Sequence, residues 1–446
     1  MKKSQGTAQE ALEHAIPAAQ ADPLRPRYHF AAPAQWMNDP NGTIFINGEY
    51  HLFYQLNPYA PHWGEIHWGH AKSTDLAHWE HLPIALTPDY EQNEHHCFSG
   101  CCVNDNGTPV IFYTSIGGLL GLANVWRGAQ QWKARGDATL THWQRAENNP
   151  FLSQSLHDRK IYDWRDPYIW KDDNEWHMVL AGKHFGDKGG SVYIYTSPDL
   201  ESWTFKGIIF KHNVKGIECP NLLKFGERYV LVISPYSQVQ YAIGRLENNK
   251  FASEQWLTLD HGKDLYATNT FIDNDEGYKL VGWIKVPGNG AWHGCLSLPR
   301  HITLSNSGEL RIIPAINLQS LRMKSINWND STPVTGNCLE IKAAFSAGST
   351  STVGLILTDN EHDYPLTVDI ASGELHVLNE KCKLERFDSA ESLKLHIFID
   401  HSVVEVFVNE RESLSTWLRP ALANQGTWRI RLLSPAIKIE AWELAG

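Results

Sequence analysis

Ser73-Thr74-Asp75-Leu76-Ala77-His78-Trp79 recurs along this chain as Asp137-Ala138-Thr139-Leu140-Thr141-His142-Trp143 and as Ser197-Pro198-Asp199-Leu200-Glu201-Ser202-Trp203. Each copy is a polar turn, a leucine and, three residues later, a tryptophan. The tryptophans lie 64 and 60 residues apart, and a looser echo at Trp256 keeps the beat. Between the copies run short stretches of β-branched and aromatic residues, punctuated by hairpin pairs. Asn47-Gly48 separates IFI from EYHLFY, Asn106-Gly107 precedes TPVIFYT, and Ser307-Gly308 separates HITL from ELRII. Asn and Gly accept the positive φ that two-residue turns require. A repeat of about 60 residues built only of strands has room for a four-stranded antiparallel blade, and such repeats predict a β-propeller. Residues 28–320 then hold five blades.

Outward from that repeat the pattern changes at both ends. Residues 1–27 are Ala- and Gln-rich with weak helical character and predict an N-terminal arm, frayed or loosely docked. Ala315 to Met323 reads as a helical or irregular linker. Beyond it LEIKAAF, TVGLILT, YPLTVDI, ELHVLN, LKLHIFID, VVEVFVN, TWRIRLL and AIKIEAWEL alternate cleanly. These eight strands predict a two-sheet β-sandwich, so residues 321–446 are assigned to the linker and a C-terminal sandwich domain. The fold class is all-β: a five-bladed β-propeller followed by a β-sandwich.

With 446 residues the chain is long enough for two well-buried domains. Its formal charge of −11 and lack of clustered Lys and Arg exclude a nucleic-acid surface. Eighteen tryptophans supply flat faces of the kind that stack on sugar rings. The seven cysteines have no paired CxxC spacing and read as reduced thiols. The first 27 residues lack the apolar run of a secretory signal, and no later stretch is apolar and long enough to span a membrane. These features predict a cytoplasmic protein that acts on a neutral or small ligand.

Three carboxylates stand apart from solvated surface charge. Asp39, in Trp36-Met37-Asn38-Asp39-Pro40-Asn41-Gly42, is stiffened by the proline behind it, while Gly42 permits a backbone closed to other residues. Asp166 lies between Arg165 and Pro167. A guanidinium facing it would lower its pKa and keep it ionised. Glu218, in Ile217-Glu218-Cys219-Pro220, has apolar neighbours that would raise its pKa, as a general acid requires. Around these lie groups suited to hydroxyls: Tyr54-Gln55, Phe98-Ser99-Gly100 and Tyr266-Ala267. Trp63 and Trp68 each precede a glycine that leaves room for a ligand. His95, His96, Cys97, Cys101 and Cys102 fit no usual zinc spacing, and no metal is expected.

The motifs WMNDPNG (36–42), FYQLNP (53–58), WGEIHWGHAKSTDLAHW (63–79), FSG (98–100), RDP (165–167), ECP (218–220), DLYATNTF (264–271) and IDHSVVEVFVN (399–409) together resemble glycoside hydrolase family 32, the β-fructofuranosidases. The resemblance spans nearly the whole chain in order. It implies a retaining hydrolase of terminal fructosyl units, with no cofactor and a small sugar such as sucrose or a short fructo-oligosaccharide as its partner; sucrose-6-phosphate hydrolysis and fructosyl transfer on the same scaffold are the alternatives. By position, Asp39 matches the family's nucleophile, Glu218 its acid/base and Asp166 its transition-state stabiliser. Asn38, Gln55, Trp63, Phe98, Ser99, Arg165 and Trp283 match positions lining the fructosyl pocket. The chain departs from the family pattern at Cys101, Ser115 and Tyr162-Asp163-Trp164. These departures leave the reaction class intact and the leaving group open. Arg127, Lys183 and Lys285 are the candidate cations for a phosphorylated one.

Overall fold

The computed structural model describes residues 5–117, 129–273, 275, 277–328, 334–347, 351–358, 362–418 and 428–446. Three antiparallel four-stranded sheets follow one another, each a meander in sequence order. They begin at Glu94–Asp105, Ile161–Asp172 and Glu218–Phe225. A fourth meander opens the chain with Gln35–Ile46, Glu49–Asn57, His67–Ser73 and Glu80–Leu86. The last set contains Leu265–Phe271, Tyr278–Pro287, Arg300–Leu304 and Leu310–Pro314. It joins the first through Trp292–Leu296, which runs parallel to Gln35–Ile46 and pairs Gln35 with Trp292.

The five leading strands touch in a cycle: Gln35–Ile46 contacts Glu94–Asp105, that strand Ile161–Asp172, and so on through Glu218–Phe225 and Leu265–Phe271 back to the first. Covered on both faces, these strands are buried almost throughout; every residue of Leu265–Phe271 is buried. The outlying Thr204–Lys211 is mostly exposed or half-buried. This arrangement fits a propeller.

The recurring Leu-to-Trp segment is the turn into the fourth strand of the first three sheets. Leu76, Leu140 and Leu200 all take positive φ. Asp75 and Asp199 cap their turns by accepting backbone N–H groups, and Asp137 does so from two residues earlier. Trp79 and Trp143 close the loop by donating to the leucine carbonyl. Trp256 has no such place: it lies within Lys250–Thr258 and packs 4.6 Å from the Phe210 ring.

After the 3-10 turn Ile316–Leu321, two six-stranded antiparallel sheets fit a sandwich. All eight expected strands are present. Arg322–Ile326, Val334–Gly336, Glu380–Lys383 and Glu412–Trp417 are added, short or polar enough to hide their alternation.

The N-terminal segment differs from the expected loose arm. Gln5–Gln20 is a helix whose Ala8, Leu12 and Ala19 are buried. Asp22 then accepts from Trp292 Nε1 at 2.6 Å. An alanine-rich face makes a close fit without a large apolar stripe, so hydrophobic periodicity understates the docking.

A buried polar clamp joins the two parts of the chain. Asp400 accepts the backbone N–H groups of Arg27, Tyr28 and His29. The His29 ring bridges Asp400 at 2.9 Å and Glu405 at 3.0 Å. Arg300 links Glu405 at 2.7 Å to Asp260 at 2.9 Å. These ionic side chains are fully buried, and each makes several bonds, as buried charge requires.

Candidate active site

Each of the five inner strands carries a β-bulge at the same level. In the first, Asn38 and Asp39 together oppose Gln55; in the second, Phe98 and Ser99 oppose Thr114. In the third, Asp166 and Pro167 oppose Leu180; in the fourth, Cys219 and Pro220 oppose Ile233; in the fifth, Ala267 and Thr268 oppose Gly282. A bulge twists the strand and turns a side chain out of the alternating pattern. Asp166, Cys219 and Ala267 hold positive φ there, a strained conformation for residues with a Cβ. Asn269 ties the ring together by donating to the carbonyls of Pro40 and Gly100, both at 3.2 Å. Gly42, at φ 54°, has no space for a Cβ, which would lie 2.6 Å from the Phe53 ring.

The bulges bring the three expected carboxylates into one place. Asp39 accepts from Ser99 Oγ at 2.6 Å and from Asn38 Nδ2 at 2.9 Å. Gln55 fixes both donors, accepting from Asn38 at 2.7 Å and donating to Ser99 at 2.6 Å. Trp36 Nε1 in turn donates to Asn38 Oδ1 at 2.7 Å, which sets the orientation of that amide. Cys219 Sγ lies 3.7 Å from an oxygen of Asp39 and 3.7 Å from one of Asp166. The two carboxylates thus flank one thiol.

Arg165 is the buried cation of the cluster. Its Nη2 lies 3.0 Å from Glu218 Oε1, 3.4 Å from Asp163 Oδ1 and 2.5 Å from Tyr236 Oη. Only Nε faces Asp166, at 3.9 Å and without a hydrogen bond. Arg165 therefore pulls the Asp166 pKa down too weakly to keep the carboxyl in the ordinary ionised range, which corrects the expected net lowering. Burial pushes that carboxyl up to about 7, with Glu218 and Asp39 adding to the rise, against the pull of Arg165 and the Cys219 N–H. The guanidinium is turned toward Glu218. Burial also raises the pKa of Glu218, and Arg165 and the Tyr266 hydroxyl, 2.6 Å from Oε2, partly offset the rise.

Two hydroxyls touch the acid end of the cluster: Tyr266, named in the sequence as suited to hydroxyls but given no role toward the acid, and Tyr236, which was not expected. Tyr266 stands in the quoted DLYATNTF; Tyr236 follows Pro235 in a turn and gave no signal. Trp63 is 37% exposed, with its ring stacked on His96 and edge-on to Phe98. Trp283 meets Trp36 edge-on at 5.5 Å. Trp68 does not reach the site surface. It is fully buried beside Phe53 and Tyr113 and donates to the Phe98 carbonyl, holding the Phe98-Ser99 bulge from behind. Its assignment to substrate contact is therefore withdrawn: the glycine after it admits the Tyr54 ring and leaves no space for a ligand.

All seven cysteines are free thiols. Among the described residues the grouping with metal-ligand chemistry is Cys338, Asp400 and His401, but Asp400 is already saturated by the clamp. Among the described residues no helix is long and apolar enough to cross a membrane.

Comparison with known proteins places this geometry. Residues 29–314 match the model of the glycosyl hydrolases family 32 N-terminal domain, and residues 315–442 the family 32 C-terminal model. The chain is 32% identical to an Escherichia coli sucrose-6-phosphate hydrolase over 87% of its length and 88% of that protein. It is 31% identical to an E. coli raffinose invertase, with 94% of each covered. A Bombyx mori family 32 β-fructofuranosidase variant, solved in complex with sucrose, superposes with a TM-score of 0.85 at 30% identity over 99% of both chains. Agreement of this extent over both halves makes the chain a member of glycoside hydrolase family 32.

Proposed function

We propose that this glycoside hydrolase releases terminal β-D-fructofuranosyl units from sucrose or short fructo-oligosaccharides through a covalent fructosyl-enzyme. Asp39 attacks the anomeric carbon while Glu218 protonates the leaving oxygen. Water, deprotonated by Glu218, then opens the ester with retention. Asp166 stabilises the charge that develops on the fructosyl ring. Asn38, Gln55, Ser99 and Phe98 bind that ring, with Trp63 and Trp283 at its borders and Arg165 aligning Glu218. The observation that carries this reading is the division of environments. Asp39 is held by neutral donors as a nucleophile should be, whereas Glu218 is half-buried and its pKa is raised by the loss of water around it, as an acid should be.

The cyclic contact of the five inner strands supports five blades over residues 28–320, with residues 321–446 as the linker and sandwich. The buried clamp supports a role for the sandwich in bracing the propeller. Seven free cysteines support a reducing, cytoplasmic setting. The test is fructose release from sucrose by the purified chain. Asp39→Asn should abolish it while preserving the circular dichroism spectrum, and full activity in that variant would refute the assignment.

A further inference from the structure

Glu218 is held from two sides by residues that meet again at Tyr236. Its Oε1 lies 3.0 Å from Arg165 Nη2, which lies 2.5 Å from the Tyr236 hydroxyl. These two legs place that hydroxyl at most 5.5 Å from Glu218 Oε1, the sum of 3.0 and 2.5 Å. Glu218 Oε2 lies 2.6 Å from the Tyr266 hydroxyl, which accepts the backbone N–H of Tyr236 at 3.0 Å. One tyrosine thus spans both holders of the acid.

That tyrosine is fixed more firmly than a surface ring requires. At φ 58° its backbone is left-handed, a strained state for a bulky residue that the surrounding bonds must enforce. Its ring packs on Gly216, where a Cβ would lie 2.4 Å from Cε2. Yet Tyr236 is 53% exposed, whereas the Glu218 side chain behind it is 21% exposed. The bond to Arg165 engages the tip of the ring and leaves its apolar body free for another contact. Nearby, Lys285 Nζ rests over the Tyr266 ring at 4.6 Å, and Lys183 Nζ donates at 3.3 Å to the carbonyl of Lys215, the residue before Gly216. Arg127, the third candidate cation, lies outside the described residues.

We propose that Tyr236 is a specificity-determining residue whose ring carries the leaving sugar. The inference rests on the fructosyl-hydrolase reading above and deepens it. The oxygen that Glu218 protonates belongs to the leaving group, so with that oxygen at hydrogen-bonding distance from the acid, the first ring of the leaving group falls beside Tyr236. The C–H face of a sugar packs on an aromatic face without any charge, and a ring already immobilised loses little freedom when it binds. Trp63, edge-on to Phe98 beside Ser99, borders the nucleophile's side, and Tyr236 supplies the corresponding exposed ring on the acid's side.

The test compares kcat/KM for sucrose, whose leaving group is a sugar ring, with that for methyl β-D-fructofuranoside, whose leaving group is methanol, in wild type, Tyr236→Phe and Tyr236→Asn. Both substrates need the same nucleophile and acid, so the ratio within one preparation cancels losses from misfolding. A misplaced acid penalises methanol, the poorer leaving group, more heavily and would widen the ratio, so narrowing marks a lost ring contact. Phenylalanine keeps the ring and drops the hydroxyl, whereas asparagine drops the ring and accepts the left-handed backbone. Wild type should favour sucrose at least about threefold, and Tyr236→Asn should narrow the ratio by about threefold to tenfold, the range of one aromatic contact. Tyr236→Phe should lower both rates and keep or widen the ratio. A wild-type ratio near one, a ratio not narrowed in Tyr236→Asn, or a narrowing as large in Tyr236→Phe overturns the proposal. Fructose released from neither substrate by wild type would instead refute the fructosyl-hydrolase reading, and the proposal with it.

Discussion

The Tyr266 hydroxyl lies 2.6 Å from Glu218 Oε2, so the proposed acid is held by a side chain from the neighbouring inner strand. The contact spans the bulges at Cys219 and Ala267 and depends on both. Because the hydroxyl donates to the ionised carboxylate, it lowers the Glu218 pKa. Tyr266→Phe should therefore move the alkaline limb of the kcat/KM profile to higher pH, where Glu218 loses its proton. It should also cut the optimum rate by about 10- to 100-fold, because the acid is less well aimed. A pH profile with an unmoved limb would show that the contact does not tune the acid.

Ser99→Ala removes the 2.6 Å hydrogen bond to Asp39 and leaves Gln55 Nε2 only its longer bond to Asp39 at 3.4 Å. The nucleophile loses orientation, and kcat should fall by about 10- to 100-fold with the fold retained. Steady-state kinetics alongside thermal unfolding separates the two effects.

Asp166 illustrates a cost of the site. Its folded pKa, about 7, lies above its ordinary value of 3.8, so the stability linked to its proton is full below 3.8 and lost as pH rises through 7. Asp166→Asn should remove that loss, raising unfolding free energy at pH 8 by roughly 1–3 kcal/mol, with little gain near pH 4. Activity should fall at least a thousandfold. Denaturant unfolding at the two pH values checks the stability arm.

The clamp responds to pH in the range above neutrality. Hydrogen bonds to Asp400 and Glu405 outweigh burial and raise His29 to about 9. The stability it contributes is full below 6.5 and lost as pH rises through about 9. Melting temperature should decline from pH 7 to 10 in wild type, and His29→Gln should flatten that decline. Asp400→Asn, which leaves His29 and three backbone N–H groups short of an acceptor, should cost about 3–5 kcal/mol. Calorimetry across the pH range measures both.

Much of this was legible in the sequence because local chemistry carries it. Asp39, Asp166 and Glu218 lie beside prolines or within two residues of them, and a stiff acid at such a position has few structural uses. Asn47-Gly48 and Asn106-Gly107 take the positive φ their residue types allow. What escaped depends on register. Arg165 follows Trp164 and precedes Asp166, yet its fork closes on Glu218 from another sheet. Trp68 precedes a glycine just as Trp63 does, but only its pairing shows that it is buried. Tyr236, in the bend after Arg228–Ser234, reaches Arg165 from 71 residues away, and the helix Gln5–Gln20 docks through alanines that carry little hydrophobic signal.

The central claim is that Asp39 carries the fructosyl group. Glu218→Ala supplied with β-fructofuranosyl fluoride tests it most directly, since fluoride leaves without protonation while hydrolysis of the ester lacks its base. Rapid quenching and peptide mass spectrometry should find a fructosyl adduct on the peptide bearing Asp39, absent when Asp39→Asn is added. Fluoride release without any adduct, or an adduct on a different carboxylate, would contradict the account.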